Sequence, residues 1–137
     1  MKIAVLIISF VLYGPGSKGQ ELKGGWSGYF LAGNISFLKT EFYITIDKIT
    51  DTTIEGYSTK IKNNDTLFCV LKGGFLRKRK IYLEETEIIS NIDKTKKTCF
   101  YSFELFYRGN KNRPTLNGSY TIKSCGMEGT VFLTKSL

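Results

Sequence analysis

Leu116-Asn117-Gly118-Ser119-Tyr120-Thr121-Ile122-Lys123 alternates apolar and polar positions at period two, the repeat of a strand with one covered face. A glycine stands in its middle. Two other runs, Ile54-Glu55-Gly56-Tyr57 and Leu71-Lys72-Gly73, share the same apolar-x-Gly core. Glycine inside a strand weakens it, so its recurrence signals bends or a close backbone approach. Barrels turn their corners with glycines of this kind. The pattern predicts an all-β chain, a single antiparallel barrel. A β-sandwich is the alternative, because both architectures share the period.

The flanking sequence extends this reading. Phe42-Tyr43-Ile44-Thr45-Ile46-Asp47 alternates in the same way, and Thr130-Val131-Phe132-Leu133-Thr134 closes the chain. From Cys99 to Tyr107, one strand face would carry Cys99, Tyr101, Phe103, Leu105 and Tyr107. Turn residues at Gly24-Gly25, Gly33-Asn34, Asp47 to Asp51, Asn63-Asn64-Asp65, Gly73-Gly74, 109–114 and Gly126 separate about eight short strands. Only 81–92 is ambiguous. Ile81, Ile88, Ile89 and Ile92 have helical spacing, yet Ile81-Tyr82-Leu83 starts like a strand, and we read a strand followed by a loop.

Composition narrows function by exclusion. The 137 residues include no His, which removes Ser-His-Asp and Cys-His catalysis and HExxH zinc sites. Hydrophobic residues at 42% and aromatic residues at 14% suffice for a packed core rather than a disordered chain. At the N-terminus, Lys2 precedes the apolar run Ile3 to Tyr13, which Gly14-Pro15-Gly16 ends before Ser17-Lys18-Gly19. A charged start, a short apolar core and a small-x-small exit are those of a secretory signal peptide. We therefore expect residues 1–19 to be a signal peptide and 20–137 a single β-barrel domain, secreted or periplasmic. The run is too short for a stable membrane anchor, and no Cys follows it to carry a lipid. Removing Lys2 and Lys18 lowers the formal charge of +8 by two. The remaining excess keeps a small protein soluble or favours an anionic surface.

Three cysteines in an exported chain suggest one disulfide and one spare thiol. Cys99 opens the longest apolar strand and Cys125 sits in the turn Lys123-Ser124-Cys125-Gly126, whereas Cys69 lies inside Leu67-Phe68-Cys69-Val70-Leu71. Element edges are easier to join than a strand interior. The expected pair is Cys99–Cys125, contributing about 3–4 kcal/mol by restricting the unfolded chain, with Cys69 a buried, inert thiol.

Gly24-Gly25-Trp26-Ser27-Gly28 resembles the opening of lipocalin/calycin-like and avidin-like barrels. That resemblance implies that Trp26 begins the first strand and plugs one barrel end, and that Lys135 is the late basic residue of the lipocalin pattern. Avidin-like barrels cage biotin with several tryptophans, and this chain has one. The order of Ile54-Glu55-Gly56, Leu71-Lys72-Gly73, Leu83-Glu84-Glu85, Leu105-Phe106-Tyr107, Leu116-Asn117-Gly118-Ser119-Tyr120 and Gly129-Thr130-Val131-Phe132-Leu133 is similar to that of a group of small exported bacterial domains with no assigned activity.

Candidate sites come from these placements. Phe42, Ile44, Tyr101, Phe103, Tyr107 and Tyr120 would line a barrel that holds a small apolar or amphipathic molecule, or would fill a closed core. Arg77-Lys78-Arg79-Lys80 reads as a basic edge strand or hairpin that discourages edge-to-edge pairing. Its functional counterpart is contact with an anionic headgroup or glycan, helped by Lys60, Lys62 and Lys72 if they lie nearby. Glu84, Glu85 and Glu87 cluster, with Glu85 and Glu87 sharing a strand face. The default for them is a solvated strand end, and a carboxylate mechanism is the one foothold for an enzyme. No calcium loop is present, and Tyr82 alone beside the basic run gives no platform for nucleic acid. The sequons at Asn34, Asn64 and Asn117 are expected to stay unmodified. The expectation is a monomeric, non-enzymatic binding domain without metal or cofactor. The alternative is a cell-envelope or secretome interaction module acting through its basic outer surface.

Overall fold

A computed structural model describes residues 21–32, 39–62, 65–77, 79–90, 99–109 and 113–136. The expected signal peptide, Lys78 and the sequons at Asn34 and Asn64 fall outside them. Eight strands make up the fold: β1 (Gly24–Ala32), β2 (Lys39–Ile49), β3 (Thr53–Lys62), β4 (Asp65–Arg77), β5 (Lys80–Ser90), β6 (Ser102–Arg108), β7 (Thr115–Ile122) and β8 (Met127–Lys135). Each pairs antiparallel with the next, and β8 returns to β1, so the sheet closes into one barrel with no sandwich seam. The expected all-β barrel is what the chain forms, of a shape consistent with the lipocalin-like fold.

The in-strand glycines mark where closure needs them. A methyl group on Gly56, Gly73 or Gly118 would stand 2.0, 1.8 or 1.9 Å from the carbonyl oxygen of Thr45, Tyr82 or Glu104. No side chain fits there, so the neighbouring strand's backbone takes the space and the wall bends. Gly28 and Gly129 meet Phe132 and Leu31 in the same way.

Between these corners, alternation fills the interior. Trp26, Phe42, Ile44, Ile46, Ile54, Leu71, Leu83, Phe103, Leu105, Leu116, Tyr120 and Leu133 are all buried, while Tyr43, Tyr57, Phe106 and Phe132 face solvent. The register defines two ends. Trp26, Ile46, Ile54, Ile81, Leu116 and Leu133 lie toward the lower one, and Phe30, Lys60, Glu85, Tyr101 and Tyr120 toward the upper.

The ambiguous stretch is a strand over nearly all of its length. β5 runs from Lys80 to Ser90, and residues 91–98 lie outside the described ones. Its register against β4 shifts between Val70 and Leu71 and again between Phe68 and Cys69, which leaves Thr86 and Ile89 as extra residues. A β-bulge adds one residue to one strand and re-aims the side chains beyond it. Two of them give Ile81, Ile88 and Ile89 a spacing that imitates a helix.

Candidate functional site

The upper half of the interior holds a polar cluster inside an aromatic wall. Lys60 of β3 and Glu85 of β5, separated by β4, reach toward each other across the inner face of the sheet. The Lys60 ammonium donates to both oxygens of Glu85, at 2.6 Å to Oε1 and 2.5 Å to Oε2. Ser58 donates its hydroxyl to Oε2 at 2.5 Å, and the backbone N–H of Tyr101 donates to Oε1 at 2.9 Å. Lys60 also stands 4.0 Å from the centre of the Tyr101 ring. Lys60 and Glu85 are 6% and 4% exposed, so the pair is desolvated and owes its stability to these added donors. Among the described residues no buried side-chain polar atom lacks a partner.

Glu85 also marks where the wall changes. The β5–β6 ladder runs only from Lys80↔Phe106 to Glu84↔Ser102. Beyond it, Glu85 donates its N–H to the Tyr101 carbonyl at 2.9 Å, while its carboxylate takes the Tyr101 N–H in return. Tyr101 thus precedes β6 and is held by Glu85. Its ring stacks on Tyr120 at 5.2 Å and on Phe103 at 6.0 Å, with the Phe30 edge at 5.4 Å. Burial pushes the Tyr101 hydroxyl up to about 12, reinforced by the charges of Tyr120 and Glu85. Two residues earlier Cys99 lies at disulfide distance from Cys125 in the β7–β8 turn, with Cα atoms 6.3 Å apart. That pair is compatible with an oxidising compartment.

Cys69 is fully buried beside this cluster and remains unpaired. Burial first, and the Glu85 charge second, push its thiol up to about 11. A thiol so disfavoured as thiolate is a poor nucleophile.

The six residues expected to line the barrel all face inward. Phe42, Ile44, Phe103 and Tyr120 are buried, and Tyr101 and Tyr107 pack partly buried against them. Phe42 and Phe103 stack at 5.1 Å. Trp26 closes the lower end. Its indole donates to the Leu22 carbonyl at 2.9 Å, Tyr107 meets it edge-on, and the Lys135 ammonium stands 4.9 Å from its ring. Lys135 also donates to the carbonyls of Glu21 and Lys23, and burial lowers its pKa.

The carboxylate cluster needs correction. Glu84 and Glu87 are exposed, as a solvated strand end would be, but Glu85 is not. Nor do Glu85 and Glu87 share a face. The bulge at Thr86 pairs Glu85 with inward Leu71 and Glu87 with Val70, and so turns Glu87 outward. Lys60, expected to help the basic run, instead lies inside the barrel. The alternation Ile54, Gly56, Ser58, Lys60 carried that signal, because all four fall on one face.

Arg77 and Lys80 face each other across the β4–β5 turn, with Arg79 exposed at its tip. On the outer face of β2–β4, an open depression of about 450 Å³ is lined by Asp47, Lys48, Glu55, Tyr57 and Lys72, a balanced set of charges. Among the described residues, no group of His, Cys, Asp and Glu could hold a metal ion, and no helix is long and apolar enough to cross a membrane. Comparison with known protein families and with curated proteins finds no match to the chain.

Proposed function

We propose that this protein is a secreted or periplasmic, non-enzymatic binding barrel of the lipocalin/calycin type, which takes a small amphipathic ligand through its upper end. One juxtaposition carries the reading: the inward aromatic wall of Phe30, Phe42, Tyr101, Phe103 and Tyr120 ends on the buried Lys60–Glu85 pair. Because these rings pack on one another and fill the interior, a ligand enters by displacing Tyr101, its apolar tail then meeting rings and its polar head meeting charge. Binding sites are mostly apolar, with a few fixed polar groups that set orientation. Tyr101 is the natural cover, because it stands outside the β6 ladder and is only partly buried. Glu85 and Glu87 face opposite sides of the wall, so these two carboxylates do not address a common substrate.

Titration with a dansylated medium-chain fatty acid tests the reading. Saturable one-to-one enhancement, displaced by unlabelled amphiphiles and altered by Tyr101→Ala, is the expected result. Probe fluorescence that never saturates, or that responds equally to Tyr101→Ala and an outer-face change such as Tyr57→Ala, would refute it.

A further inference from the structure

The β4–β5 hairpin carries an arrangement that a ligand inside the barrel does not explain. β4 is the longest strand, and its pairing with β3 ends at Thr53↔Gly74, so Phe75, Leu76 and Arg77 run past the end of β3. The ladder to β5 shifts between Phe75 and Arg77, which leaves Leu76 as an extra, bulged residue. Phe75 and Leu76 are 39% and 45% exposed, and Phe106 on the adjoining strand is 49% exposed. Single exposed apolar residues are ordinary, whereas two in succession beyond the end of the neighbouring strand are less so.

The turn itself is built from cations. Arg77↔Lys80 closes a two-residue connection, and Arg79 in it has φ 67°. Glycine or asparagine takes that conformation at least cost, yet the chain places a basic residue there. Lys80 is engaged with Glu104 at 3.3 Å and with the Phe106 ring, which leaves the exposed Arg77 and Arg79 for an external anion. Around the same lower rim, exposed Lys23, Lys48, Arg77, Arg79, Arg108 and Arg113 outnumber Glu21, Asp47 and Asp51 among the described residues.

We infer that the β4–β5 hairpin tip docks the barrel on an anionic lipid bilayer, with Phe75 and Leu76 entering the apolar boundary and Arg77 and Arg79 taking lipid phosphates. Basic residues alone would suit an acidic glycan equally. The apolar side chains set among them select a surface with an apolar layer behind its charge. This inference does not depend on a ligand within the barrel.

The test is co-sedimentation of the full chain, as recovered from an exporting host, with vesicles of phosphatidylcholine alone or mixed with phosphatidylglycerol. Binding should require phosphatidylglycerol and weaken at high salt. Arg77→Glu with Arg79→Glu, and separately Phe75→Ser with Leu76→Ser, should each lower it by about tenfold or more, since both contacts are needed for stable attachment. Circular dichroism melts of these surface variants check that the barrel is intact. Equal binding to neutral vesicles overturns the inference, as does full binding by either tip variant. Retention on a soluble acidic polysaccharide without vesicle binding overturns it in favour of a glycan.

Discussion

The two ends of the barrel are closed by different chemistry. At the lower end Trp26 is sealed by Leu22, Tyr107 and Lys135, so the segments flanking β1 and ending β8 meet on one indole. At the upper end closure rests on charge: Lys60, Ser58 and the Tyr101 backbone converge on the Glu85 carboxylate. Apolar closure gains from burial itself and has no partner whose loss leaves a charge stranded. Polar closure is stable only while every member is present. The lower end therefore gains from burial alone, whereas the upper end depends on each polar member of its cluster.

Two substitutions would break that contrast most directly. Trp26→Ala should cost about 5 kcal/mol, the upper range for truncating a buried Trp, with no single second change able to restore it. Glu85→Ala should cost about 4 kcal/mol, because it strands the Lys60 ammonium in the interior. Replacing both partners, as Lys60→Met with Glu85→Leu, should recover only part of that loss, since the apolar pair no longer strands the ammonium but leaves the Ser58 hydroxyl and the Tyr101 N–H without their acceptor. Urea unfolding of the single and double variants measures both. A double variant as unstable as Glu85→Ala would show that the upper end depends on the charges themselves.

Sequence reading went furthest where one side-chain type met one geometric need. Gly56, Gly73 and Gly118 gave away the barrel because no other residue fits beneath a neighbouring carbonyl. Tyr101, Phe103, Leu105 and Tyr107 share an inner face as their alternation required. The polar cluster was hidden for a different reason. Its partners come from strands two apart, and the bulge at Thr86 decides which of the glutamates turns inward. A bulge leaves little trace in the local pattern, so Glu85 looked like its exposed neighbours. Lys60 was legible in principle, but a lysine on a buried face has meaning only once its carboxylate is known.

The cysteine pair sharpens the comparison at an intermediate size. It ties Cys99, two residues before Tyr101, to the β7–β8 turn, and so restrains the upper end alone. Cys125→Ser should lower stability by about 3.5 kcal/mol in the chain-entropy account of a loop of this length. Hydrogen exchange localises the effect. Faster exchange at the Tyr101 amide, with the Trp26 indole unchanged under conditions far from global unfolding, is the expected outcome. Equal acceleration at both ends would mean that the two closures form one cooperative unit.

The smallest expected effect lies on the alkaline side. Burial raises Cys69 from 9.0 to about 11 and Tyr101 from 10.0 to about 12. In the unfolded chain both groups ionise at their ordinary values, so above pH 9 the unfolded state binds fewer protons than the folded one. Stability contributed by the neutral, buried forms is complete below the unfolded pKa and declines as pH rises toward the folded values. Cys69 acts first, Tyr101 about a unit later. Cys69→Ala removes the earlier part of that decline, and its small loss of volume should cost below about 1 kcal/mol at neutral pH, where the thiol behaves as a small apolar group. Urea midpoints of wild type and variant, tracked from neutral pH to about pH 11 in the absence of reductant, give the measurement. The two curves should converge as pH rises past about 9. Parallel curves would place Cys69 in contact with solvent, and the closure of the upper end would then need a different account.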